Sequence, residues 1–477
     1  MSLSRRQALG LLVGGGAAVA AGGCRPIAGL FEGRKPSVGR PRTEDEHRIA
    51  LLNRFGFGAR PGQIAEIKGS EKEWFENQLT APVDDDFGIG LKLRKLDIFQ
   101  YTAYDLRDVP QEEIIRQLQV AAIIRASDSP WQLRERMVDF WTNHFNIFAR
   151  KGLAAYRKPQ DEKHVIRANA LGSFHEMLKA SAKSTAMLLY LDQQASSFVQ
   201  PNENYARELL ELHTLGVDGG YSQKDVMEAA RCFTGWSEER EFLKAKGTFK
   251  FRSNIHDKGS KVVLGHFIPA GGGVEDGEKV VEIVATHPST AKHVAKKLCR
   301  FFLGSDEGAS VDKVAKVYLD SRGDIKSMLR TIFEEYSAGN YKPTLKRPFD
   351  FTVSAIRALD AETEGGQDLQ KHLAAMGQPL YQWPMPDGYP DDTASWTGSL
   401  LARWNLATAL GEGKVSGVEL KLKELTKRHE GASPVSIVFG LPDTHEIVQS
   451  LVSRMPSGLD DGVKYALALA SPEFQWR

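Results

Sequence analysis

Cysteine is scarce in this chain. Among 477 residues only Cys24, Cys232 and Cys299 carry a thiol. Three thiols spread this widely cannot assemble a thiolate zinc or iron–sulfur centre on their own. Only Cys232 and Cys299 are placed to pair within a mature domain, and nothing in the sequence says that they do. An excess of either charge is lacking too. The formal net charge is +1, which gives no argument for nucleic acid or for an acidic substrate. The zinc-protease helix motif, the phosphate-binding glycine loop, the nucleophile elbow and the dinucleotide fingerprint are all missing. No internal repeat is evident, and strand signals are confined to one stretch. What is present is an ordinary globular balance, 42% hydrophobic and 26% charged, long enough for one large domain or two to three ordinary ones. Any chemistry must rest on carboxylates and histidines.

The first 24 residues do not read as fold. Ser4-Arg5-Arg6-Gln7-Ala8-Leu9-Gly10 precedes the weakly apolar run LLVGGGAAVAAGG. A twin arginine ahead of a short, glycine-rich apolar segment resembles a twin-arginine export signal, read by the twin-arginine export machinery. The run is too short and too rich in glycine for a good transmembrane helix, which needs about 20 strongly apolar residues. Ala21-Gly22-Gly23-Cys24 resembles a lipoprotein cleavage box with Cys24 lipidated, and plain signal-peptidase cleavage nearby is the alternative. The expected location is the periplasm, free or held at the membrane by a lipid. Residues Arg25 to Arg42, rich in Gly, Pro and Arg, read as a linker.

From Thr43 to Arg477 the pattern predicts a mainly α fold, a single large multi-helix domain. Thr43 with Glu46 forms a capping-box pattern at its start. Trp131 to Ala149 reads as one amphipathic helix with Met137, Trp141, His144 and Phe148 on one face. The one β signal is a small hairpin around 247–267, with Lys258-Gly259-Ser260 as a turn between two short runs. Gln378 to Trp396 is a long loop containing Pro and Trp.

The stretch from Asn202 to Trp236 carries the densest set of ionisable residues. It predicts two helices joined by a glycine turn at Gly216, Gly219 and Gly220, with Ser222 and Asp225 capping the second. Asn204, Arg207, Glu208 and Glu211 share one face of the first helix. Asp225, Glu228 and Arg231 share one side of the second. This is either a solvated ion-pair surface, with Arg207 meeting Glu211 and Arg231 meeting Glu228, or the wall of a polar site.

Several motifs then look familiar. LLNRFGFGARPG (Leu51 to Gly62), ERMVDFWTNHF (Glu135 to Phe145), MLLYLD (Met187 to Asp192), NENYARELLELHTLGV, KDVMEAARCFTGW, HDKGSKVVLG (His256 to Gly265) and HPSTAKHVAKKLC (His287 to Cys299) fall in this order. They resemble the bacterial domain-of-unknown-function family 1800, over essentially the whole mature chain. The resemblance implies export and a single-domain architecture. It supplies no activity and no catalytic residue.

Two readings follow. In the first, the chain is an exported enzyme. Glu208, His256 and Asp257 are the candidate catalytic groups, with His256-Asp257 as a base and its orienting carboxylate. Glu208, Glu211 and His144 are the candidate ligands of a divalent metal. Arg207, Asn204 and Trp383 are the candidate substrate contacts. Each has a structural alternative: ion pairing for the acids, a hydrogen-bonded core position for His144, turn chemistry for Asp257 and loop packing for Trp383. A hydrolase variant pairs Glu208 with Asp225 or Glu228 as acid and base, and the loop aromatics beside Asp387, Asp391 and Asp392 suit sugar stacking. In the second reading the chain is a non-catalytic envelope scaffold or binding protein anchored through Cys24.

Overall fold

The computed structural model describes residues 43–240, 246–429 and 431–477. The twin arginines, Cys24 and the linker lie outside these residues.

Thr43 opens the first helix, Glu44–Arg54, by the expected reciprocal cap. Its hydroxyl accepts from the Glu46 amide and the Glu46 carboxylate accepts from the Thr43 amide, both at 3.2 Å. Helices then account for most of the fold. They enclose two large apolar cores beside smaller clusters. One joins residues 50–79 to 133–336, around Phe55, Trp141, Leu210, Phe302 and Phe333. The other joins Phe57, residues 98–126, Ala149 and Ala155 to 349–474, around Leu118, Phe351, Leu410 and Tyr465. Among the described residues no helix is long and apolar enough to cross a membrane.

Helix Pro348–Ala358 is buried on every face, so its charged residues must find partners inside the protein. They do so at the seam of the two cores. Asp350 accepts from Arg136 at 2.5 Å, and Arg347 bonds Asp139 and approaches Asp391 at 3.5 Å. Arg136 bridges the cores, 4.7 Å from the Phe57 ring centre on one side and 4.6 Å from Phe301 on the other. Burial acts to raise the Asp350 pKa, but the Arg136 and Arg347 guanidiniums outweigh it and hold the carboxyl below its usual range. For Asp139 the balance reverses: burial, reinforced by the Asp350 charge, pushes its carboxyl up.

Three of the strands fall in or at the edge of the expected stretch, with a different pairing. The runs flanking Lys258–Ser260 do not pair with each other. Phe249–Phe251 lies antiparallel to Trp236–Glu238, and Lys261–Val263 to His266–Ile268. The second hairpin turns at Leu264 and Gly265, both with positive φ (50° and 80°), the geometry of a two-residue primed turn that matches strand twist. A third short pair joins Glu362–Thr363 to Val418–Glu419.

The helix expected over Trp131 to Ala149 ends early. It spans Gln132–His144, and Phe148 leaves the shared face. Asn143 and Asn146 instead reach across to the loop Gln378 to Trp396, which draws the chain out of helical register.

Candidate functional site

Helix Glu203–Glu208, capped by the Asn202 side chain on the Asn204 amide (2.8 Å), runs directly into a π-helical turn, Leu209–Thr214. The Leu215 amide reaches back to the Leu210 carbonyl at 2.8 Å, and the Thr214 hydroxyl satisfies the Leu209 carbonyl at 2.6 Å. Such wide turns are rare and concentrate at functional sites, because they re-aim side chains off the ordinary helical spacing. Here the turn sends His213 into the core while Glu208 and Glu211 stay at its edge.

Glu208 is half-buried. Among the described residues its carboxyl has neither a hydrogen bond nor an ion pair. Burial pushes its pKa up, and the charges of Glu211 and Asp387 add to that against the opposing Arg207. Tyr190 stands in the same field. Burial first, then the charges of Glu208 and Asp387, raise its hydroxyl, which donates to the Pro384 carbonyl at 2.8 Å.

Asp387 belongs to the loop Gln378 to Trp396, which two asparagines fasten down. Asn143 exchanges two hydrogen bonds with the Tyr389 backbone, at 2.9 and 2.7 Å, and Asn146 donates to the Trp383 and Met385 carbonyls at 3.0 and 2.6 Å. Gly388 is required at the contact: its φ is +78°, and a Cβ there would lie 2.3 Å from the Asn143 carbonyl oxygen. The Trp383 indole donates to Asp387 at 2.9 Å and packs on Tyr389 with ring centres 4.9 Å apart.

Behind this edge lies a group of bases held without charge. His144 and His293 direct Nε2 to the backbone carbonyls of His213 and Leu212, at 3.1 and 3.0 Å. Ring centres of His144 lie 6.2 Å from His213 and 6.3 Å from His293. Burial, helped by the nearby Lys297 cation, lowers all three, His213 to about 3 and His293 to about 4. Lys297 sits one turn after His293 on helix Pro288–Leu303, on the same face. Burial lowers its own pKa, Asp391 and Asp387 oppose that, and no ion pair holds it among the described residues. The Asp387 charge thus acts on both Glu208 and Lys297. The sequence contained the spacing of His293 and Lys297, but not which of Lys296 and Lys297 turns inward.

The family model described as "Protein of unknown function (DUF1800)" matches residues 50–476. The chain belongs to the DUF1800 family. No curated protein and no solved structure matches it. The DUF1800 match therefore spans both cores and the whole of this cluster, and it brings no activity with it.

The remaining expected residues of the DUF1800 chain have other roles. The metal expectation for Glu208, Glu211 and His144 does not fit: among the described residues no three His, Cys, Asp or Glu side chains are grouped so as to hold an ion. His144 faces the aromatic core, Glu211 accepts from the Tyr221 hydroxyl at 3.1 Å, and Lys297 places a cation beside the imidazoles. Arg207 bonds Gln223 (2.9 Å) and Glu203 (3.4 Å), not Glu211, and remains partly exposed, whereas Asn204 is exposed.

His256 and Asp257 are not a base and its orienting carboxylate. The buried His256 ring contacts Asp276 through Nε2 at 3.2 Å and the Thr234 carbonyl through Nδ1 at 2.8 Å. Asp257 binds Arg231 (2.8 Å) and accepts from the Gly259 amide (2.8 Å), the turn role. Asp225 and Glu228 are also committed. They accept from the amides of Leu264 (2.7 Å) and Val262 (2.9 Å), fastening the hairpin to helix Gln223–Cys232. Neither is left to act as a second acid beside Glu208. Cys232 and Cys299 are free, and burial pushes both thiols up to about 12.

Proposed function

We propose that the protein is an exported acid–base enzyme, with Glu208 as proton donor and Asp387 as the second carboxylate. The observation that carries this is the unpartnered, half-buried Glu208, with its pKa raised, beside a π-helical turn. A carboxyl raised in this way holds a proton closer to neutral pH, which suits a general acid. Such groups cluster at working sites, because a fold gains no stability from leaving them unpaired. Lys297 contributes a cation with no ion pair among the described residues, suited to an anionic group of a substrate. Trp383 and the exposed Met385 offer an apolar rim next to the carboxylates, an arrangement that suits a carbohydrate and a glycosidic bond cleaved between two acids. The leader expected at Arg5-Arg6 and the box ending at Cys24 support export through the twin-arginine machinery and a lipid anchor facing the periplasm.

The test is a screen of the purified chain against envelope and plant polysaccharides, with release of reducing ends as the readout. The proposal expects hydrolysis by the wild type and a loss of about 100-fold or more in Glu208→Gln, on the scale of general acid catalysis. Hydrolysis undiminished in both Glu208→Gln and Asp387→Asn would remove it.

A further inference from the structure

An open-mouthed cavity of about 270 Å³ lies away from this cluster. Its walls come from helix Glu44–Arg54, the inner helix Pro348–Ala358, helix Glu446–Arg454 and the last residues of the chain. Most of the lining is apolar, led by Ile49, Ile64, Val438, Phe439, Phe474 and Trp476. The two ends differ. Glu446 and Ser450 are exposed and mark the mouth, whereas Lys346 and Ser354 are buried and mark the inner end.

Lys346 is 3% exposed, yet no carboxylate lies within ion-pair distance of it among the described residues. Its amine donates to the Ser354 hydroxyl at 2.8 Å and stands 3.9 Å from the centre of the Phe474 ring. Burial pushes its pKa down to about 7; the Asp350 charge opposes this, and the Arg403 and Arg136 charges add to it. Arg477, also lining the space, has Nε and Nη1 without a hydrogen bond, Nη1 lying 3.6 Å from Asp350. Lys346 and Arg477 thus bring buried N–H groups to the inner end that an anion would complete, while Oε2 of Glu473, also buried without a hydrogen bond, lines the same space. The acids of the cavity are Glu46, Glu446 and Glu473. Glu46 is engaged by the Thr43 amide, and Glu473 lies 3.6 Å from Arg454.

We infer that this cavity binds a small carboxylate with an apolar body, its head group paired with Lys346 and its body against Phe439, Phe474 and Trp476. The volume lies just under the usual range of small-molecule pockets, about 300–1,000 Å³, which limits the occupant to a single short chain or ring. Binding draws a proton onto Lys346, because the ion pair favours the charged amine.

The test is calorimetric titration of the full chain with octanoate, and separately with octylamine, at pH 6 and pH 9. Octanoate is expected to bind at pH 6 and to weaken by about tenfold per pH unit above the free-state pKa, since the protonated fraction of Lys346 falls at that rate. Octylamine is expected not to bind. Lys346→Met is expected to lose octanoate at least tenfold and Lys346→Arg to retain it. Should Lys346→Met not fold, Ser450→Trp closes the mouth without touching the inner end, and it should abolish octanoate binding while melting like the wild type. The inference is overturned by an absence of octanoate binding at millimolar concentration. It is equally overturned by octylamine binding as tightly as octanoate, or by octanoate binding that neither pH nor Ser450→Trp alters.

Discussion

Replacing Asp276 tests whether His256 belongs to the architecture or to chemistry. Asp276 is 3% exposed, accepts from the Lys261 amine at 2.6 Å and lies 3.2 Å from His256 Nε2. Lys261 is 1% exposed and also bonds the Asp257 carbonyl, so it is the anchor of the hairpin on helix Val274–Ala285. Asp276→Leu strands that cation in a buried place. Breaking a buried pair from one side destabilises by about 3–5 kcal/mol. Loss of the His256 contact adds about 1 kcal/mol. Removing both charges, as Lys261→Met with Asp276→Leu, leaves no stranded ion and should recover all but about 1–2 kcal/mol of the loss, since apolar replacement of a buried pair is often close to neutral. Urea unfolding followed by far-UV circular dichroism supplies the four free energies of the cycle. A single variant within about 1 kcal/mol of the wild type would refute the reasoning, as would a double variant as damaged as the two single losses added together.

Three further outcomes are expected. The Glu208 carboxyl has a folded-state pKa above its unfolded value, so the fold favours its protonated form and wild-type stability falls as pH rises through the ordinary carboxylate range. Glu208→Gln should therefore raise the melting temperature at pH 7 and leave it unchanged at pH 4; a decrease at pH 7 would show that the carboxylate is held by partners. Asn143→Ala removes both bonds to the Tyr389 backbone, which amounts to about 2–4 kcal/mol at roughly one to two per bond and its stranded group, and amide exchange should quicken in 378–396 before it does elsewhere. Gly388→Ala, with a Cβ forced to 2.3 Å from the Asn143 carbonyl and φ at +78°, should loosen the same loop by more than about 1 kcal/mol, read by limited proteolysis.

The fold class was legible because periodicity and caps are local. Thr43 with Glu46, and Ser222 with Asp225, announce helix starts within four residues, and both boxes form. The strands around Phe249 and Val262 were visible as short alternating runs, but their partners were not. Pairing depends on which neighbour covers each edge, and Trp236–Glu238 carries little strand signal of its own. The end of the helix at His144 was hidden for a similar reason. The bonds that end it run from Asn143 and Asn146 to residues more than 200 positions away.

The candidate site shows the same division. Composition, the carboxylate-bearing face of Asn202 to Glu211 and the lack of thiolate clusters limited the chemistry to acids and imidazoles. Which acids remain unpaired was decided by the tertiary structure. Asp225, Glu228 and Asp257 are equivalent to Glu208 as residue types, yet hairpin amides and Arg231 occupy them. Asp276, unmarked in the sequence, receives His256 because chain folding sets it there. A side chain's identity and helical phase are encoded within a few residues. Its burial and its partners depend on segments that only the packed cores bring together, and these set the desolvation and charge that separate Glu208 from its neighbours.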